Sequence, residues 1–201
     1  MDIWKHHLSA NKWKWTIGIL LFIFSLLLFN RVLIVVSGQP GIPFNDPLFP
    51  FFKAIDVSVI IFSFTYGSLL LYMIFNRSNP DQYLRFIYLY AAIVLLRSAT
   101  VFLLPLAEPP GNIHLVDPVL NSVFYPGGYS SRDLFFSGHA ASIFLMFFLA
   151  KEKRQRPLFL GMAIAVSVLV VAQKVHYTLD VLAAPFFVWM ILYFNRRFKL
   201  I

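Results

Sequence analysis

Six apolar runs, each close to the length of a membrane span, dominate this chain of 201 residues. A helix needs about 20 mostly apolar residues to cross a bilayer, and only helices and closed barrels satisfy the backbone inside it. The runs lie at residues 15–36, 54–75, 86–104, 134–150, 158–173 and 177–194. They predict an all-α integral membrane protein, a bundle of six transmembrane helices that forms one membrane domain over residues 1–201.

The composition agrees with a membrane protein. Hydrophobic residues make up 59% of the chain and charged residues 13%, whereas soluble domains are roughly 45–50% apolar. Most of the lysines and arginines behind the net charge of +8 stand between the apolar runs, so the charge is explained by membrane topology and no nucleic-acid partner is expected. The chain has no cysteine, which excludes disulfides and thiolate metal sites.

The distribution of lysine and arginine predicts the orientation. With six spans, 12 of the 17 lysines and arginines fall on one side, in the two termini and in the loops 76–85 and 151–157. The other five are Arg31, Lys53, Arg97, Arg132 and Lys174. Because positively charged segments stay in the cytoplasm, both termini are expected to be cytoplasmic. Segments at the opposite ends of the spans then face the periplasm or a lumen, and a bacterial inner membrane is the favoured location.

Two polar blocks stand at the extracytoplasmic ends of apolar runs, where titratable side chains are costly and usually functional. The first ends in Ser137-Gly138-His139, and the second contains His176 and Asp180. A Ser-Gly-His sequence that opens a helix offers free backbone N–H groups and a positive dipole end to a phosphate. Residues four apart share a helix face, so Asp180 is expected to orient the imidazole of His176.

One arginine interrupts the third apolar run. Arg97 lies about eight residues inside the predicted span, where an unpaired guanidinium costs several kcal/mol. We expect it to have an anionic partner, either a phosphate or a carboxylate. The alternative is that its long side chain reaches the membrane surface.

These motifs resemble the type-2 phosphatidic acid phosphatase superfamily, and in particular its sphingomyelin synthase branch. Residues 133–139 match that branch's Asp-x-x-x-Ser-Gly-His-Thr motif, except that Ala140 replaces the threonine. Residues 176–181 match its His-Tyr-Ser/Thr-x-Asp-Val/Ile motif at every fixed position. The resemblance extends over residues 45–195, approximately.

The phosphatase branch of the superfamily has a different pattern of cations. It carries Lys-x6-Arg-Pro and Ser-Arg-x5-His-x3-Asp, whereas here Leu169 and Val170 occupy the Ser-Arg positions ahead of His176. The cations that clamp phosphate in that branch are therefore missing. This difference favours a transferase.

The resemblance implies a lipid phosphotransferase that moves a phospho-headgroup from a glycerophospholipid to a lipid hydroxyl acceptor such as ceramide or diacylglycerol. It implies that His176 attacks phosphorus to give a phosphohistidine, that Asp180 holds its other ring nitrogen, and that His139 protonates the leaving alkoxide. It implies no metal and no other cofactor, so the expected partners are substrate lipids and the membrane. Candidate substrate-binding residues are Arg97, Arg132, Asp133, Ser137, Gly138 and Lys174, together with Tyr125 and Tyr129, which could cage a choline group by cation–π contact.

Four alternatives stay open at this point. The enzyme could be a lipid phosphatase or a phospholipase-C-type hydrolase of the same superfamily. His139, His176 and Asp180 could form a facial triad for a metal. The chain could instead bind or transport lipid without catalysis, or the three residues could simply pack against one another in the bundle.

Overall fold

The computed structural model describes residues 2–115 and 132–198. In these residues it has seven α-helices and a short 3-10 turn at Phe49–Phe51. The helices are α1 (Asp2–Ala10), α2 (Lys12–Ser37), α3 (Ser58–Phe75), α4 (Pro80–Leu103), α5 (Gly138–Leu149), α6 (Gln155–Ala172) and α7 (Thr178–Phe198). Over the two described ranges no β-strand is formed; one isolated bridge joins Ile42 and Leu106.

Five of these helices, α2, α3, α4, α6 and α7, are long and apolar enough to cross a membrane, judged by length and composition. Many of their large apolar side chains, such as Leu20, Leu27 and Leu70, are exposed on the outside of the bundle. Apolar surface of this extent is stable against lipid tails and unfavourable in water. The structure therefore supports a helical, multi-pass membrane protein.

Several helices continue beyond the apolar runs that predict them. α2 begins at Lys12, α4 begins at Pro80, and α7 continues to Phe198. An apolar run stops at the first charged residue, but a helix can continue into the headgroup layer, where charged side chains are solvated. Proline also suits the first turn of α4, because the N–H that it lacks would have no helical partner there.

α5 is shorter than the run that predicts it. It has 12 residues and is about 18 Å long, whereas the predicted span is 134–150. Residues 132–137 before it are not helical, because their polar groups are used in contacts described below. The six-span count and the cytoplasmic termini accordingly stay predictions.

α5 occupies the centre of the bundle. It packs against α6 and α7, and also against α3 and α4. Its buried residues lie on most of its circumference and include Ala140, Ala141, Ile143, Leu145 and Met146. A helix that is apolar on all sides is expected in such a buried position. Its N-terminus carries the Ser-Gly-His motif, so the fold places that motif inside the bundle.

Cysteine labelling tests the orientation. The chain has no cysteine, and positions 114 and 154 are both exposed. A membrane-impermeant maleimide should label His114→Cys in intact cells and leave Arg154→Cys unlabelled, because the positive charges around position 154 keep that loop in the cytoplasm. After permeabilisation both should be labelled. The reverse pattern in intact cells would mean that the orientation is inverted.

Candidate active site

His176 and Asp180 form a buried pair at the start of α7. His176 Nδ1 lies 3.3 Å from Asp180 Oδ2, and the same oxygen accepts the Tyr177 backbone N–H at 2.9 Å. The exposed fractions of the two residues are 4% and 0%. Sequence spacing predicts that both stand on one helical face, but His176 lies two residues before α7, so the carboxylate reaches back from the first turn. A carboxylate only accepts, so Nδ1 is the donor in this contact and Nε2 takes no part in it.

The two motif blocks are joined directly by a backbone hydrogen bond. The Ser137 N–H donates to the Asp180 carbonyl at 3.1 Å, and the Ser137 hydroxyl accepts from the Ala140 N–H at 3.5 Å as the N-cap of α5. The rings of His139 and His176 are consequently close, with centroids 6.4 Å apart and planes at 66°. At this separation both imidazoles can contact one phosphate group.

Arg97 of α4 lies beside the N-terminus of α5. Its guanidinium is buried, donates from Nε to the Phe136 carbonyl at 2.8 Å, and forms an ion pair with Asp133. It also lies 4.8 Å from the centre of the Phe29 ring. The structure thus gives Arg97 a carboxylate partner, one of the two partners expected from the sequence. A guanidinium next to helical N–H groups is a favourable environment for an anion.

Gly138 is the residue that permits this approach. A Cβ added at position 138 would stand 2.8 Å from Arg97 Cζ and would overlap Nη1. Any larger residue would have to displace the guanidinium from the first turn of α5. The glycine of the motif is therefore explained by a close contact.

The other candidate cations have different partners. Arg132 donates to the carbonyls of Leu106 and Gln39 at 3.1 and 3.3 Å. Lys174, which has a φ of 57°, donates to the Phe49 carbonyl at 3.2 Å. Both side chains hold loops in this arrangement. The remaining two candidates, Tyr125 and Tyr129, lie outside the described residues.

An apolar cavity of about 290 Å³ begins at this site. Arg97, Asp133, Gly138 and His139 line its polar end. The rest is lined by side chains of α2 to α5, among them Phe22, Leu26, Leu69, Phe86, Val94 and Met146. Arg97 and Phe86 are 11 residues apart on α4, so the cavity extends about 16 Å along the helix. It lies between α2, which packs mainly on α4, and α3, which packs mainly on α5 and α6.

The facial-triad alternative depends on a cluster of metal ligands. Within residues 2–115 and 132–198, no group of three or more His, Asp or Glu side chains has an arrangement that could hold a metal ion. Asp180 directs one oxygen to His176, and its other oxygen, Oδ1, has no hydrogen-bond partner in the described part of the chain. The carboxylate is thus arranged to orient and charge-stabilise the imidazole.

Two buried polar residues near the pair of His176 and Asp180 were not identified from the sequence. Gln173 accepts from the Val57 N–H and donates to the Ser58 hydroxyl and the Ile113 carbonyl. Asp46 accepts from the backbone and side chain of Thr178. A polar residue at the end of an apolar run is a weak signal for Gln173, and nothing in the local pattern around Asp46 indicates a partner so distant in the chain.

Substitution of the motif glycine tests the close contact. Gly138→Ala should lower the midpoint of thermal unfolding in detergent, because overpacking of a buried contact costs about 1–3 kcal/mol. Gly161→Ala is the matched control, since a Cβ there meets nothing within 4 Å and alanine favours the helix by about 0.5–1 kcal/mol. If Gly138→Ala is as stable as Gly161→Ala, the guanidinium does not require this glycine.

Comparison with known proteins bears on the second half of the chain. Residues 132–197 match the family model described as "PAP2 superfamily C-terminal". The match covers 66 of the 201 residues and contains both motif blocks. No curated protein and no solved structure matches the chain. The match to this segment supports the PAP2, or type-2 phosphatidic acid phosphatase, superfamily and an enzyme with the phosphatase or phosphotransferase chemistry of that superfamily.

Proposed function

We propose that this protein is a lipid phosphotransferase of the sphingomyelin-synthase-like type. It moves a phospho-headgroup from a glycerophospholipid to the hydroxyl of an acceptor such as ceramide or diacylglycerol. The observation that carries the proposal is a pair of close imidazoles. One of them, His139, lines the polar end of an apolar cavity, and the other, His176, is bonded to a buried carboxylate.

His176 is the proposed nucleophile. Its Nδ1 is engaged by Asp180, so Nε2 attacks phosphorus while the bond from phosphorus to the glycerol oxygen breaks. Asp180 keeps the ring in the required tautomer and stabilises the positive charge that develops on it. The product of this half-reaction is a phosphohistidine, and the electron pair of the broken bond stays on the leaving oxygen.

His139 is the proposed acid and base. It donates a proton to the leaving alkoxide, so diacylglycerol departs as a neutral alcohol. In the second half-reaction the neutral imidazole accepts a proton from the acceptor hydroxyl, whose oxygen attacks the phosphohistidine. The proton that is lost in the first step is thus regained in the second, and His176 is released.

Arg97 and the N-terminus of α5 supply the proposed electrostatic stabilisation. Positive charge near the non-bridging oxygens lowers the energy of the transition state. The guanidinium lies next to the first residue of α5, where the backbone N–H groups have no acceptor within the helix itself. Asp133 holds Arg97 in this position. Arg132, Lys174, Tyr125 and Tyr129 stay candidates for contacts with the headgroup.

The shape of the cavity supports a lipid substrate. An elongated apolar space with charged groups at one end suits an acyl chain whose polar end reaches His139 and Arg97. Because the cavity lies between α2 and α3, the acyl chain of a lipid can enter it from the bilayer. By the distribution of positive charge, we place this site on the extracytoplasmic side of a single membrane domain, with a bacterial inner membrane favoured.

The two histidines should differ in their kinetic roles. His176→Ala should abolish turnover and the covalent intermediate, because the nucleophile is lost. His139→Ala should lose about 10²–10⁴-fold in rate with lipid donors and should recover with an activated aryl leaving group, which needs no acid. His6→Ala, which changes an exposed histidine of α1, is the control. Equal losses of His139→Ala on both kinds of substrate would show that His139 is not the acid.

The partition between transfer and hydrolysis distinguishes the proposed enzyme from a lipid phosphatase or phospholipase-C-type hydrolase. Given a phospholipid donor and excess ceramide or diacylglycerol, the headgroup should appear mainly on the second lipid, because apolar surroundings keep water away from the phosphohistidine. Mass spectrometry of the lipid and aqueous phases measures both products. Dominant release of the free phospho-headgroup at saturating acceptor, with both acceptor classes, would favour the hydrolase.

A further inference from the structure

Asp46 is a buried carboxylate outside the proposed mechanism. It lies in the loop between α2 and α3, is 5% exposed, and contacts the first residue of α7. Its Oδ2 accepts the Thr178 backbone N–H at 2.6 Å, and its Oδ1 accepts the Thr178 hydroxyl at 3.0 Å. Oδ1 also accepts the Leu48 N–H at 2.9 Å. Asp46 and Thr178 are 132 positions apart in the sequence.

The same loop holds the turn before α7 at further points. The Tyr177 ring stacks on Phe49 at 5.5 Å and meets Phe44 edge-on at 5.1 Å. The Phe49 carbonyl accepts from Lys174 Nζ. His176 lies between Lys174 and Tyr177, so the loop contacts the turn on both sides of the proposed nucleophile.

We propose that Asp46 is a positioning residue for His176, acting through Thr178. The first N–H groups of a helix lack helical partners, and aspartate is among the preferred residues that supply one. Here the cap comes from a distant loop, while the acidic residue of α7 itself, Asp180, is turned back to His176. Asp46 thereby frees Asp180 to hold the imidazole, and it fixes the place where the helix begins.

The inference rests on the proposed role of His176 as nucleophile, and it predicts an effect on rate. A misplacement of the order of 1 Å at a reacting group can cost about 10²-fold. Loss of an ordinary helix cap lowers stability and leaves the properties of each folded molecule unchanged. A helix cap of similar chemistry elsewhere in the chain can separate an effect on rate from an effect on stability.

Asp56 provides that control. It precedes α3, and its Oδ1 accepts both the backbone N–H and the hydroxyl of Ser58, at 3.0 and 2.7 Å. These hydrogen bonds lower the pKa of the Asp56 carboxyl, and Asp56, like Asp46, accepts from both the backbone N–H and the hydroxyl of one residue at the start of a helix. Unlike Asp46, Asp56 is exposed, and the helix that it caps, α3, carries neither His176 nor Asp180.

The kinetic experiment compares Asp46→Ala, Asp46→Asn and Asp56→Ala, with rates expressed per folded molecule. We expect Asp46→Ala to lower kcat about 10- to 100-fold with KM within about twofold of wild type, because only the alignment of the nucleophile changes. Asp46→Asn keeps the shape and part of the acceptor capacity, so its kcat should be intermediate. Asp56→Ala should keep the wild-type kcat.

A second measurement needs no turnover. Diethyl pyrocarbonate modifies accessible imidazoles, and peptide mass spectrometry can follow His176 against the exposed His6. We expect the rate ratio of His176 to His6 to rise by at least about threefold in Asp46→Ala, or in Asp46→Asn if the alanine variant does not fold, because the turn opens locally. Asp56→Ala should keep the wild-type ratio.

The outcomes separate the inference from the proposed function. A wild-type kcat or a wild-type modification ratio in folded Asp46 variants would overturn the role of Asp46, as would equal effects in Asp56→Ala. If the wild-type protein hydrolyses its donor and transfers nothing, the proposed transferase fails, but the kcat comparison is then made on hydrolysis. If it does neither, the modification ratio alone decides whether Asp46 positions His176.

Discussion

The buried guanidinium of Arg97 is the constraint on which the geometry of the site depends. A charge inside a membrane bundle must be paired and hydrogen-bonded, and Arg97 obtains both from the segment before α5, through Asp133 and the Phe136 carbonyl. These contacts explain why α5 begins only at Gly138. Removal of one partner from a fully buried pair costs about 3–5 kcal/mol. Asp133 is partly exposed, so the loss here should be smaller, but it is still an appreciable share of the roughly 5–15 kcal/mol that stabilises a typical protein. The ion pair and the entry into α5 are therefore one structural unit.

The proposed active site is larger than the segment that matches the family model. Residues 132–197 contain the two histidines and Asp180, but Arg97 comes from α4 and Asp46 from the loop before α3. Helices α2, α3 and α4 also line most of the apolar cavity. In the proposed mechanism the matched segment supplies the reacting groups, and the first half of the chain adds Arg97, Asp46 and most of the cavity lining. Variation in that half can change the substrate without changing the chemistry.

The sequence predicts well what depends on local composition. Apolar length gives the five long helices, and the four-residue spacing predicts the contact of Asp180 with His176, although His176 lies before the helix and not on it. It does not predict partners that are distant in the chain. The ammonium of Lys174, for example, donates to the Phe49 carbonyl, 125 residues away. The fourth apolar run begins at residue 134, but α5 begins only at Gly138. The sequence does not predict this later start, because it depends on Arg97, which is 39 residues from the carbonyl that it binds. Long-range polar contacts are set by packing, which no local pattern encodes.

The same three residues, His139, His176 and Asp180, can serve transfer and hydrolysis alike. In the mechanism proposed here, His139 accepts a proton in both reactions from a hydroxyl that attacks the phosphohistidine, and only the source of that hydroxyl differs. A held acceptor has an effective concentration that can exceed that of free water by orders of magnitude, and this advantage grows as water is excluded. On this mechanism the ratio of transfer to hydrolysis depends on the apolar lining from α2, α3 and α4 and on the residues that bind the acceptor. Substitutions in that lining should change the ratio of transfer to hydrolysis. Substitutions of His176 or Asp180 should change only the rate of turnover.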